Sequence, residues 1–366
     1  MQEEPQKPFS DVLDALFNEE QVPVHLLFRL SDMLADEKKR FFAAWAEGED
    51  DRRQEIMRHL ADLAEDNFVV DFSPIFVKGL TDSLAGVRQA GLDGLWDATD
   101  VRLIPWVLGL MQTDEDQDVR ATAASTLAHY VLLSEWGQIP QRPLEPAIAA
   151  LLAAYEDEET AVPIRRSALE ALGAANHPRV PALIEEAYEN DDPAMQLSAI
   201  FAMGNSADPG WLPTILAEMT NPSADMRAEA AQAAGAIGGS DAISQLAELT
   251  QDDDEDVRAA AIVALGMIGG DDAQMILSDL LEDPDFEDLR EIIQESLEVL
   301  LLMGGELNLL SYLNGDDDYE EDDEDYEFDD HDDAGQDDDE DDDEDDDDFI
   351  YSPFDEDDED DDDLYG

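Results

Sequence analysis

Side chains able to do chemistry are scarce in this chain of 366 residues. There is no cysteine, which removes thiol nucleophiles, thiolate zinc sites and disulfides together. The five histidines, His25, His59, His129, His177 and His331, never fall three or four residues apart, and none precedes a glutamate. Paired His–Glu metal ligands on a helix are therefore missing. The four lysines, Lys7, Lys38, Lys39 and Lys78, stand in no glycine loop ending in Lys-Ser or Lys-Thr, so no phosphate cradle is written. Carboxylate pairs carry no signal of acid–base catalysis, because almost any two elements here present acids to each other. Gly335 could turn a calcium loop, but Ala334 holds a ligand position. No catalytic residue, cofactor site or metal site is assigned, and the chain reads as a non-enzyme.

What remains is arginine and aromatic residues. After Val180 the only basic residues are Arg227, Arg258 and Arg290, each two positions after Asp225, Asp256 and Asp288; Asp118 and Arg120 repeat the spacing earlier. Such a ladder could grip an anionic ligand. The commoner use is structural, each guanidinium bridging to an aspartate or loop carbonyl next door while its stem covers apolar surface. We expect the structural use. Trp96 and Tyr130 fall late on successive helices, where binding and packing weigh evenly, and His129 beside Tyr130 is the one histidine that could line a site. Phe349, Tyr351 and Phe354 form a compact apolar island between acid blocks and read as anchors for a partner.

The elements carrying these residues recur. Residues 225–251 and 256–282 align position for position: Asp225, Arg227, Gly235, Gly238, Asp241, Leu246 and Leu249 return as Asp256, Arg258, Gly266, Gly269, Asp272, Leu277 and Leu280. The apolar-Arg pair recurs at Arg88, Arg120, Arg165, Arg227, Arg258 and Arg290, with Gln196 in one copy, at steps of 32, 45, 31, 31, 31 and 32 residues. The long step holds an insertion near 135–146, marked by Pro140, Pro143 and Pro146. Each unit reads as two helices. Val257, Ala261, Ala264, Leu265 and Ile268 share one face, Gly269-Gly270 closes that helix, and Asp271 or Asp272 is expected to cap the next. Pro105, Pro146, Pro181 and Pro213 suit the first turn of outer helices. Two short helices cannot bury their own apolar faces, so the units must stack.

The D-x-R helix start, the Ala-rich A-L-G ending and the spacing resemble HEAT repeats, in particular the short repeats of the phycobilisome-lyase type, over residues 83–303. The resemblance implies an all-α, right-handed α-solenoid of HEAT-like helix pairs. It also implies a family that includes chromophore lyases, a metal-dependent hydroxylase and many protein-binding scaffolds. The expected organisation is an N-terminal helical cap over 1–82, with a degenerate repeat beginning near Asp51-Arg52-Arg53, the array over 83–315, and an acidic tail over 316–366. In the cap, Phe41, Phe42, Trp45, Phe68, Phe72 and Phe76 are expected in the core.

Charge narrows the function. The net charge is −77, and 35 of the 96 acids lie in 316–366 without a Lys or Arg, which leaves −42 on residues 1–315. A tail of such composition should stay disordered and span about 40 Å or more. The field repels nucleic acid and anionic lipid and attracts basic proteins. Residues 1–8 show none of the basic-then-apolar order of a secretory signal and no apolar run reaches membrane-spanning length, so a cytoplasmic protein is expected; a monomer is expected as well. The reading is a scaffold or chaperone-like protein that docks a basic protein partner on the inner face of the solenoid. A chromophore lyase and an acid-rich protein adapted to high salt are the alternatives.

Overall fold

The computed structural model describes residues 7–31, 33–66 and 69–313. Among them there are helices and turns but no strand. The chain divides into two units, Met1–Glu306 and Leu307–Gly366. The proposed tail anchors Phe349, Tyr351 and Phe354 lie outside the described residues, as does Phe68.

Eighteen α-helices occur in the described residues: α1 Phe9–Asn18, α2 Val24–Leu27, α3 Ala35–Glu47, α4 Asp50–Asp66, α5 Ser73–Gly79, α6 Ala85–Asp93, α7 Ile104–Thr113, α8 Gln117–Glu135, α9 Glu145–Glu156, α10 Val162–Leu172, α11 Val180–Tyr188, α12 Pro193–Asn205, α13 Leu212–Glu218, α14 Ala224–Ile237, α15 Ile243–Leu249, α16 Glu255–Ile268, α17 Gly270–Glu282 and α18 Arg290–Leu313. From α4 to α16 the even-numbered helices pack one on the next in a single row. Each odd helix from α5 to α15 packs on the even helix that follows it. The first unit is thus an α-solenoid of helix pairs.

One repeat shows why the sequence folds this way. Asp254 caps α16, its carboxylate accepting from the Asp256 and Val257 N–H groups at 3.1 and 3.4 Å. Val257, Ala260, Ala261, Ile262, Ala264 and Leu265 are buried. Gly269, at φ +69°, ends the helix in a conformation other residues avoid. The expected Asp271 or Asp272 cap is not made: α17 begins at Gly270, Gly269 precedes it with no side-chain cap, and both aspartates sit in its first turn, where the helix dipole favours them. The prolines stand in the first turns of α7, α9, α11 and α13.

The small residues set the distance between neighbours in the even row. A Cβ placed on Gly173, Gly204 or Gly235 would lie 2.9, 2.8 or 2.9 Å from the Cα of Ala202, Ala233 or Ala264 in the next even helix. At Gly266 it would lie 2.8 Å from the Ser296 backbone oxygen of α18. The A-L-G glycine is therefore a contact between backbones within the stack. At the insertion, α8 extends to 19 residues against 9 for α6, and the chain turns at Gly137, φ +70°. At the N-terminal end Phe41, Trp45, Phe72 and Phe76 are buried, and the Trp45 indole donates to Asp82 at 3.1 Å.

Candidate cleft on the arginine row

The ladder arginine is the fourth residue of α6, α8, α10, α14 and α16, and Arg53 holds the same place in α4. Where an aspartate stands two residues before it, that aspartate is not its partner. Asp118, Asp225, Asp256 and Asp288 are exposed. Arg88 instead grips Asp114 with two bonds of 2.7 Å, and Arg227 grips Asp252 at 2.8 and 2.7 Å. Each also donates to a carbonyl of its own preceding loop, Asp82 or Asn221, at 2.9 Å. Arg53 likewise pairs with Asp82. The receiving aspartate opens the next loop, where it accepts an N–H two residues on. One guanidinium so ties two successive loops.

Burial pushes the Asp114 carboxyl up, yet hydrogen bonds from Arg88 and the Asp116 N–H hold it below the usual aspartate range. At Asp252 the Arg227 bond dominates, and the shift is again downward. The aspartate clamp is not made in every unit. Arg120 and Arg165 donate to the Met111 and Tyr155 carbonyls, Arg258 to the Asp252 and Asp253 carbonyls of its own loop, and Arg290 pairs with Glu287 one turn away with 41% of its side chain exposed. Where Gln196 replaces the arginine, the loop position 25 residues on is Asn221 rather than an aspartate. Cation and carboxylate are lost together, which avoids a buried orphan charge.

On the open side of the row, α4, α6 and α8 enclose a cleft of about 460 Å³. Arg58, Asp62 and Glu65 come from α4, Asp93 and Trp96 from α6 and the turn after it, and Thr122, Ser125, Thr126 and His129 from α8. Arg58 is held on Asp93 at 2.8 Å. The Trp96 side of the cleft is open, with 39% of that residue exposed. The His129 ring has one nitrogen at the Asp97 backbone and buries the other, Nε2, without a hydrogen-bond partner. Burial lowers its pKa, against the opposing charge of Asp97, so the ring is neutral near pH 7.

Trp96 and His129 are thus brought together, whereas Tyr130 is not with them. Tyr130 is fully buried, its hydroxyl donating to the Asp100 carbonyl at 3.3 Å, and burial pushes its pKa well above the ordinary tyrosine value. The reason is the helical period: Tyr130 lies one residue, about 100°, round from His129 and faces the core. Arg58, Asp62, Glu65 and Asp93 do not stand out in the sequence. A register signal exists: Arg58, Asp93 and Ser125 each follow a ladder arginine by five residues, and Asp62, Asp97 and His129 by nine. Further along the row, Arg166 donates to the Ser198 hydroxyl at 2.8 Å and that hydroxyl donates to Glu170, while burial and the Glu170 charge raise Glu229 to about 7.

Among the described residues no group of three His, Cys, Asp or Glu side chains could hold a metal ion, and no helix is long and apolar enough to cross a membrane. The family model of HEAT repeats matches residues 180–254 and 212–298. A curated relative, an uncharacterized phycocyanin operon protein Z of Pseudanabaena tenuis, is 28% identical over 139 residues, 38% of this chain. The chain spans 65% of that relative's length. Among solved structures, the complex of CpcE and CpcF of phycocyanin lyase from Nostoc is 18% identical, with a TM-score of 0.46 over 78% of this chain and 97% of that one. Human deoxyhypusine hydroxylase is 19% identical, with a TM-score of 0.32 over 71% of this chain and 95% of that one. The family-model match and the 31-residue step of helix pairs together show HEAT repeats over residues 180–298.

Proposed function

We propose that the protein is a non-enzymatic scaffold that docks a basic segment of a partner protein on the open side of its arginine row. The observation that carries this reading is the α4–α6–α8 cleft, which sets the exposed Trp96 among Asp62, Glu65 and Asp93. An aromatic surface within a carboxylate field offers apolar contact and attraction to cations together. The acidic body extends that attraction and opposes nucleic acid. A photoreactive residue at Ser125, inside the cleft, should give discrete protein adducts in the native host, and Trp96→Ala should abolish them. The same group at the exposed Glu185 of α11, outside the cleft, should give none. No adduct at Ser125, or equal adducts at both positions, would end the reading.

A second reading is favoured by the match to a phycocyanin operon protein. In it the chain acts on an open-chain tetrapyrrole, as a lyase does. Such a chromophore carries propionate carboxylates, and the three acids of the cleft against one arginine disfavour them there. Titration with a bilin, followed by visible absorbance, tests this reading: a saturable red shift supports it and an unchanged spectrum removes it.

A further inference from the structure

Most polar groups lining the cleft, Arg58 and the Trp96 indole N–H apart, can accept hydrogen bonds. Asp62, Glu65 and Asp93 are carboxylates that only accept when ionised. The His129 ring also lines the cleft, but its Nε2 is buried and is not offered to a ligand there. The Thr126 hydroxyl donates to the Thr122 carbonyl at 2.9 Å, and the Thr122 hydroxyl accepts from Gln89 at 3.3 Å, which places hydroxyl oxygens on the same wall. Trp96 adds an indole, the aromatic system that attracts cations best. The one cation present, Arg58, is engaged by Asp93.

Acceptors on three helices around an exposed indole complement a flat, donor-only cation. A guanidinium presents five N–H donors in a fixed plane, stacks on an aromatic ring and is weakly hydrated. An ammonium is a compact, strongly hydrated point charge that cannot serve acceptors spread across three helices at once. Neutral polar ligands gain little from the carboxylates, and anions are repelled. We propose that the Trp96–His129 cleft is an arginine-recognition site that takes one guanidinium of the docked partner, with the indole as its stacking surface and the exposed carboxylates of Asp62 and Glu65 as its acceptors. This rests on the scaffold reading for the identity of the partner, while the chemistry of the cleft stands without it.

The test uses full-length protein labelled with 5-fluorotryptophan. Its five tryptophans should give five fluorine resonances, with Trp96 assigned by Trp96→Phe. The probes are N-acetyl-arginine N-methylamide and its lysine and citrulline counterparts, at constant ionic strength. Saturable movement of the Trp96 resonance alone is expected with the arginine probe. The lysine probe should bind at least threefold more weakly, and citrulline should leave the resonance in place. Asp62→Asn with Glu65→Gln, which removes two carboxylates and keeps their shape, should weaken the arginine response severalfold. A Trp96 resonance that stays still, that follows citrulline as well as arginine, or that drifts linearly with the other four overturns the proposal. Loss of this response with persistent Ser125 adducts would sink arginine recognition and leave the scaffold standing. A normal response without adducts would do the reverse.

Discussion

At the scale of single residues, the sequence shows which side chains recur but not what they hold. The Asp two residues before Arg120, Arg227, Arg258 and Arg290 is the eye-catching partner, yet it is exposed, and the carboxylate that matters lies 26 residues ahead of Arg88 and 25 ahead of Arg227. Contacts in a stack run between repeats, so a partner is found one period away rather than one helical turn away. The energetics are sharp because Arg88 and Asp114 keep only 8% and 4% of their side chains exposed. Removing one member leaves the other buried and unpaired, at a cost of about 3–5 kcal/mol, whereas removing both charges costs less. The chain already contains the neutral pair of residue types, Gln196 and Asn221. Arg88→Gln should therefore lower the urea midpoint markedly, and Arg88→Gln with Asp114→Asn should recover a good part of the loss. Equal midpoints for single and double variants would show that the clamp carries no coupling. Because the native Asp114 pKa is depressed, the contribution of the pair is present above the ordinary aspartate pKa near 3.8 and fades as pH falls through the depressed value. The wild type should accordingly lose its advantage over the double variant only in acid.

At the scale of helices, most of the array is legible in the sequence, since the 31-residue step, the alanine faces and the prolines of the outer helices all point to stacked pairs. Two features are not. Tyr130 resembles a surface residue when its place is judged from neighbouring helices, but α8 is longer than they are and its own period turns Tyr130 to the core. The cleft acids are hidden because in so acidic a chain an exposed carboxylate gives no contrast; only Asp62 and Asp93 are marked, by their register to Arg53 and Arg88. The A-L-G glycine is legible as a repeat mark but not as a contact. Gly266→Ala makes its meaning testable. Alanine would favour an isolated helix by about 1 kcal/mol. Against that, the new Cβ meets the Ser296 oxygen, Cβ and Cα at 2.8, 2.8 and 3.0 Å, and backbone cannot swing aside as a side-chain tip can. Overpacking of this kind costs about 1–3 kcal/mol, so the clash should win and the melting temperature should fall. Gly109, where a Cβ would meet nothing within 4 Å, is the control: Gly109→Ala should be neutral or stabilising. Equal effects at both glycines would refute the backbone-contact account.

At the scale of the whole molecule, charge is the dominant fact, and it acts against the fold that bears it. Arg53, Arg88 and Arg227 spend their charge in clamps within the stack, and residues 1–315 carry a net −42. Self-repulsion of that size opposes compaction, and salt screens exposed charges at about 10 Å in 0.1 M solution while leaving buried clamps largely untouched. Added sodium chloride should therefore raise the melting temperature of the full chain steeply up to about 0.2 M and then level off, the reverse of a protein held by surface ion pairs. Truncation after Gly315 removes 35 acids and no Lys or Arg. The truncated protein should keep its helical signal, melt slightly higher than the full chain at low salt, and respond less to added salt. Calorimetry of the two proteins across a salt series decides the matter. If truncation collapses helicity, the last residues belong to the solenoid's fold, and if both proteins melt independently of salt, the surface charge is neutralised by groups within the chain and the attraction invoked for a basic partner loses its source.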